Sequence, residues 1–167
     1  MNLIFTHPSG GQLWQGSQRD VEKLLLVPDA GIRVIGLFAR EHQPDDQFSH
    51  YELLKSGFDD NFEAGDAELS GIARLADNAS DVFSDRVRSG KGCLSSCFAG
   101  LNRSGLVTAL TLLKVAGMGP AEVIGRIRRL RGPDALSNPK FVELIHKMGG
   151  LRGSKTSWTK WTKGSTD

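Results

Sequence analysis

A chain of 167 residues, 39% hydrophobic and 24% charged, has enough material for one domain with a proper core and the make-up of an ordinary globular protein. Its formal net charge of +2 argues against a nucleic-acid binder, and no apolar run approaches the ~20 residues needed to span a bilayer. The opening MNLIFTHPSGG has neither the basic leader nor the apolar stretch of a secretory signal, so the cytoplasm is the expected location. The two cysteines, Cys93 and Cys97, make neither a disulfide framework nor a zinc site. On one extended strand their Cα atoms would lie roughly 13 Å apart at ~3.3 Å per residue, beyond the ~4.4–6.8 Å that a disulfide accepts. Cys93 reads as a small buried hydrophobe.

In chain order, Gln12 to Ser17 reads as a short strand or edge segment ending in a turn. Asp20 to Leu26 reads as a brief helix with Leu24 and Leu25 inward, stopped by Val27-Pro28. Ile32 to Phe38, IRVIGLF, is a near-continuous apolar run of strand length, the mark of a buried parallel strand. The polar, acidic stretch from Arg40 to Ser49 is expected to be a surface loop. Tyr51 to Leu54 predicts a further short strand, leading into the turn-rich Lys55 to Asn61 with its adjacent carboxylates.

A long helix is then predicted, with Asp66 as N-cap and Glu68 in its first turn. Its inward stripe comprises Leu69, Ile72, Leu75, Ala76, Ala79, Val82 and Phe83, and Gly90 ends it. A strand over Cys93 to Ser96 precedes a loop and a helix over Ser104 to Val115, apolar on nearly every face and so expected to be central and buried. Pro120 starts the next helix at its first position. There Val123, Ile124, Ile127 and Leu130 point inward, while Arg126, Arg128, Arg129 and Arg131 are expected largely outward. Asn138-Pro139 repeats the cap-then-proline start, with Phe141, Val142, Leu144, Ile145 and Met148 as the last apolar face. Alternating strands and helices followed by three successive helices imply a single α/β domain over residues 1–150, with a mostly parallel central sheet flanked by helices. Residues 151–167 read as a basic, Ser/Thr/Trp-containing flexible tail.

The chemistry concentrates between Cys97 and Arg103. A loop closing between a strand and the first turn of a helix can wrap its backbone N–H groups around a phosphate, and the helix dipole adds positive potential. A cysteine at its start would face the phosphorus. Arg103 at its end would present a planar fork of donors to two phosphate oxygens, which a lysine cannot do. Residues Phe98, Ala99, Gly100, Leu101, Asn102 and Arg103 would form the phosphate cradle, Gly100 letting the backbone approach without a clashing Cβ.

The stretch Cys97-Phe-Ala-Gly-Leu-Asn-Arg-Ser-Gly105 fits the Cys-x5-Arg-Ser/Thr signature of the cysteine-based protein phosphatases, and its surroundings resemble the dual-specificity branch. The resemblance extends from about Leu13 to Met148, through LWQGS, IRVIGLF, an acidic loop, an amphipathic helix, a strand into the signature, and SNPKFVELI near the end. It implies a dual-specificity phosphatase-like fold and a metal-independent, cofactor-free phosphomonoesterase acting through a cysteinyl-phosphate intermediate. In that scheme Cys97 is the nucleophile, Arg103 the phosphate clamp, and Ser104 the hydroxyl that helps the sulfur leave. A loop aspartate upstream serves as general acid and then base. The candidates are Asp60, which is favoured, Asp59 close behind it, and Asp66, whose place as a helix cap is explanation enough.

One departure stands out. The family usually has histidine before the nucleophile, and here that residue is Ser96. Its absence leaves Cys97 with fewer fixing contacts and keeps alive an alternative, a catalytically weak or inactive pseudophosphatase that holds a phosphorylated partner. The loop also has no lysine or arginine before Arg103, which points to a phosphoprotein or a small, singly phosphorylated ester as substrate rather than a highly charged inositol lipid.

Overall fold

A computed structural model describes residues 1–27, 29, 31–39 and 50–153. The stretch expected as a surface loop at 40–49 lies outside the described residues, as does the tail expected over 151–167 apart from residues 151–153, which end a helix. Within them run β1 (Asn2–Thr6), β2 (Gln12–Ser17), α1 (Gln18–Leu26), β3 (Ile32–Leu37) and β4 (Glu52–Lys55), then α2 (Asp66–Arg88), β5 (Gly92–Cys97), α3 (Arg103–Val115), α4 (Pro120–Arg131) and α5 (Pro139–Gly153). The strands form one sheet in the order β1-β2-β5-β3-β4. β1 is antiparallel to β2, and the remaining three pairings are parallel.

β5 is the centre of this arrangement. Every residue of GCLSSC is buried, because β2 and β3 close both of its edges and helices cover both of its faces. Leu94 points to one face, where α1 packs Val21 and Leu24 against Ile32, Ile35 and Leu37. Cys93 and Cys97 point to the other, joining the larger core of α2, α3, α4 and α5. Alternation along a strand sends successive side chains to opposite faces, so residues four apart share one. α3 is buried at every position from Arg103 to Leu113, as its all-round apolar character requires. Lys114, at its end, turns back to Asp77, Ser80 and Asp81 of α2. No helix among the described residues is long and apolar enough to cross a membrane.

Several local expectations change. β1 was not expected at all: in NLIFT only Ile4 is buried, too little for an alternating signal, and a bulge between Leu3 and Phe5 interrupts the pairing. Its presence makes β2 an interior strand rather than an edge. α1 begins at Gln18 and not Asp20, because Ser17 and Asp20 form a capping box: the Asp20 N–H donates to Ser17 Oγ and the Ser17 N–H to Asp20 Oδ2. Asp66 is not the N-cap of α2. Gly65 holds that place, and Asp66 lies in the first turn with Glu68, where the dipole favours negative charge.

The α4 arginines are also not simply outward. Arg126 Nε donates to the Ile4 carbonyl of β1 at 2.8 Å, and its guanidinium lies 6.0 Å from the Phe5 ring centre. Arg131 folds back over the loop after β5. Arg128 keeps its exposure but donates to the carbonyls of Ala135 and Leu136. These contacts satisfy carbonyls that neighbouring secondary structure leaves open.

Candidate active site

Cys97 is the last residue of the central strand, and Arg103 is the first of α3. The loop between them leaves the carboxyl end of a parallel strand, where open α/β sheets bind ligands. Its carbonyls are all spoken for. Phe98 O accepts from the Gln18 N–H at 3.2 Å, and Ala99 O from Arg131 Nη2 at 3.2 Å. Gly100 O accepts from Arg131 Nε at 2.9 Å and from the buried Gln15 Nε2 at 3.0 Å. Leu101 O accepts from the Leu136 N–H at 3.3 Å, and Asn102 O from Leu106 in the first turn of α3.

Across a trans peptide the C=O and the following N–H point opposite ways. Carbonyls held by the protein body in this way leave the N–H groups of Ala99, Gly100, Leu101 and Asn102 directed away from those partners. Gly100 makes the turn possible. Its φ is +72°, and a Cβ there would run into the Gly16 backbone. Gly105, in the first turn of α3, leaves room for the Leu136 side chain to pack against the helix.

Cys97 Sγ and Ser104 Oγ lie 3.3 Å apart, and Ser95 Oγ donates to the Ser104 carbonyl at 2.9 Å. Arg103 is buried, with Nη1 donating to the Phe58 carbonyl at 3.4 Å. Ser96, where the family usually has histidine, is buried in β5. Phe98 and Ala99 stand exposed at the rim, where they line a groove of about 440 Å³ with Gln18, Arg19 and Glu22. Cys93, one step down the same face, has a thiol pushed up to about 12, chiefly by burial and further by the Glu52 charge, against the opposing influence of Arg86 and Lys91.

The three aspartates part company. Asp60 Oδ2 accepts from Asn102 Nδ2 at 3.0 Å and its Oδ1 from Asn138 Nδ2 at 2.8 Å, so this carboxyl is joined to the loop after β5. Phe58 anchors the segment from below: its N–H donates to the Phe38 carbonyl, and its ring packs between Phe38 and Phe141. Asp59 is exposed beside it, and Asp66 is exposed at the start of α2, sharing a shallow cleft with Glu143 and Lys147. Among the described residues no group of three or more His, Cys, Asp or Glu could hold a metal ion.

Sequence reasoning missed the second layer: Gln15, Arg131, Leu136, Asn138 and the side chain of Asn102. Asn138 was legible as a helix start, and it does cap α5, its Oδ1 accepting from the Lys140 N–H at 3.0 Å. That use hid the other end of the same amide.

The fold is that of the dual-specificity branch of the cysteine-based phosphatases. Human DUSP28 superposes with a TM-score of 0.72 over 92% of this chain and 98% of its own, at 22% identity, and DUSP15 with 0.72 over 90% of each chain at 22% identity. The human tyrosine phosphatase-like serine/threonine/tyrosine-interacting protein superposes at 0.67, with 16% identity, over 92% and 98%. In sequence, rat dual specificity protein phosphatase 15 is 36% identical over 66 residues, 40% of this chain and 28% of that relative's length. No family model matches the chain.

Proposed function

We propose that the chain is a metal-independent phosphomonoesterase of the dual-specificity type. One observation carries this reading: a cysteine next to a serine hydroxyl lies under a loop whose carbonyls all bond away from it, with one carboxyl tied to the loop's far end.

The Cys97 thiolate attacks phosphorus in line, forming the S–P bond as the ester P–O bond breaks. The amides of the loop and the Arg103 guanidinium hold the equatorial oxygens and take up the transition-state charge. Asp60 gives its proton to the leaving oxygen. In the second step Asp60, now a carboxylate, takes a proton from the water that attacks phosphocysteine, and the Ser104 hydroxyl donates to Sγ as it leaves. With no cation in the loop before Arg103, the substrate class is a singly phosphorylated protein side chain or a small phosphomonoester.

Wild-type protein should release the phenol from an aryl phosphate, Cys97→Ser should fall to background, and Arg103→Lys should lose roughly 10²–10³-fold in kcat. Of Asp59→Ala, Asp60→Ala and Asp66→Ala, only the second should lose the basic limb of the pH–rate profile. Wild-type turnover no greater than that of Cys97→Ser would overturn the reading.

Ser96 supports a second reading, a pseudophosphatase that holds a phosphorylated partner. Calorimetric binding of a phosphopeptide with no phosphate released over hours would favour it.

A further inference from the structure

Asn102 occupies the N-cap of α3, the position where asparagine is among the best residues because its side chain can take a first-turn N–H. It makes no such bond. The side chain is instead buried and spent elsewhere: Nδ2 donates to Asp60 Oδ2 at 3.0 Å, and Oδ1 accepts from the Asn138 N–H at 3.1 Å and from Ser137 Oγ at 3.2 Å. Forgoing the cap has a direct use, since a capping oxygen would occupy the N–H groups that an incoming phosphate needs.

Asn138 completes the arrangement from the other side. It is fully buried, and its Nδ2 donates to Asp60 Oδ1 at 2.8 Å and to the Asn61 carbonyl at 3.3 Å. The chain reaches this position through Leu136, a buried leucine with φ +58°. A non-glycine residue held there costs on the order of 1–3 kcal/mol, and such strain gathers at functional sites. The conformation lets the Leu136 N–H reach the Leu101 carbonyl while the next two residues meet Asn102.

We infer that Asn102 and Asn138 are positioning residues that hold the Asp60 carboxyl preassembled over the phosphate loop, one amide on each carboxyl oxygen. This rests on the phosphomonoesterase reading and deepens it. A carboxyl has about four lone-pair directions, so one N–H on each oxygen leaves a second direction on each for the proton that goes to the leaving group. The carboxyl is thus fixed in place without losing the ability to donate.

Two substrates separate this role from general support of the loop. Phenyl phosphate has a poor leaving group that needs a proton, whereas the phenolate of a difluorinated umbelliferyl phosphate leaves unaided. Asn102→Ala and Asn138→Ala should each lower kcat on phenyl phosphate by roughly tenfold to a hundredfold. For Asn138→Ala, whose residue lies outside the loop, KM should be little changed, and kcat on the umbelliferyl ester should move less than about threefold, since acid catalysis contributes little to that step. Both variants should lose the basic limb of the pH–rate profile, and in an Asp60→Ala background neither should lower the phenyl phosphate rate further. Asn138→Ala keeps the backbone N–H that bonds Asn102, so its effect does not come from disturbing the loop. Equal losses on both substrates, or losses that persist undiminished without Asp60, would overturn this inference alone. A wild type that turns over neither ester would remove it together with the reading beneath it.

Discussion

Cys93 and Cys97 share a strand and a face, yet their surroundings give them different chemistry. Burial lifts the Cys93 thiol to about 12, so the nucleophilic thiolate is scarcely present near neutral pH. Cys97 ends the strand where the loop begins, beside the Ser104 hydroxyl. Iodoacetamide at pH 7.5 should therefore modify Cys97 alone in the folded protein, inorganic phosphate should slow that reaction, and unfolding in guanidinium should expose Cys93. Peptide mass spectrometry checks this, and native labelling of Cys93 at a comparable rate would contradict it. At this scale the sequence was informative where a residue's role depends on its immediate neighbours. Cys97, Arg103 and Ser104 all stand in one nine-residue stretch, and the structure brings the Cys97 thiol and the Ser104 hydroxyl within 3.3 Å of each other. Among the aspartates the sequence favoured Asp60 only narrowly over Asp59, because the two differ in nothing but which way the backbone turns them.

At the scale of elements, the loop between Cys97 and Arg103 is shaped as much by what holds its carbonyls as by its own residues. Arg131 of α4 holds two of them, Ala99 O and Gly100 O, while its Nη1 donates to Asn2 Oδ1 of β1. Arg131→Ala frees the Ala99 carbonyl and leaves that of Gly100 to Gln15 alone, so that either could turn toward a bound phosphate and repel it. Inhibition constants for inorganic phosphate and vanadate should rise roughly tenfold, matching the ~1–1.5 kcal/mol of an ordinary hydrogen bond or two, with thermal stability nearly unchanged. Inhibition constants equal to wild type would show that Gln15 and the chain itself suffice to shape the loop. This function of α4 was hidden by its pattern: an apolar stripe with arginines between reads as a solvated face, and only packing against the loop reveals which arginine turns back. β1 was hidden for a related reason, since an edge strand with one buried residue leaves too weak an alternation to detect.

Across the whole molecule, the sheet separates two unequal cores, and the site draws on both. Gln15 of β2 and Gln18 at the start of α1 approach the loop from one side, and Arg131 of α4 with Leu136 and Asn138 of the α4–α5 connection approach it from the larger core. α3 is the common support, so damage at its middle should be felt globally. Leu110, 1% exposed, lies two turns from the site. Leu110→Ala should cost about 2–5 kcal/mol of stability, lowering Tm by roughly 4–20 °C for a chain of this size, while kcat measured well below the new Tm stays close to wild type. A loss of activity without a fall in Tm would mean that the helix transmits more than support.

The sequence by itself determined the order of strands and helices after β1, the buried character of α3, and the nearness of a thiol and a hydroxyl at the two ends of one loop. Each of these is recorded in spacing within a dozen or so residues, where helical and strand periodicity and local chain geometry operate. Only the tertiary structure decided which aspartate lies against that loop and which side chains hold it there. Asp60 meets Asn102 across 42 residues and Asn138 across 78. Hydrogen bonds over such distances depend on how the sheet orders its strands and where the returning helices pass, and neither leaves a periodic trace in the residues that make them.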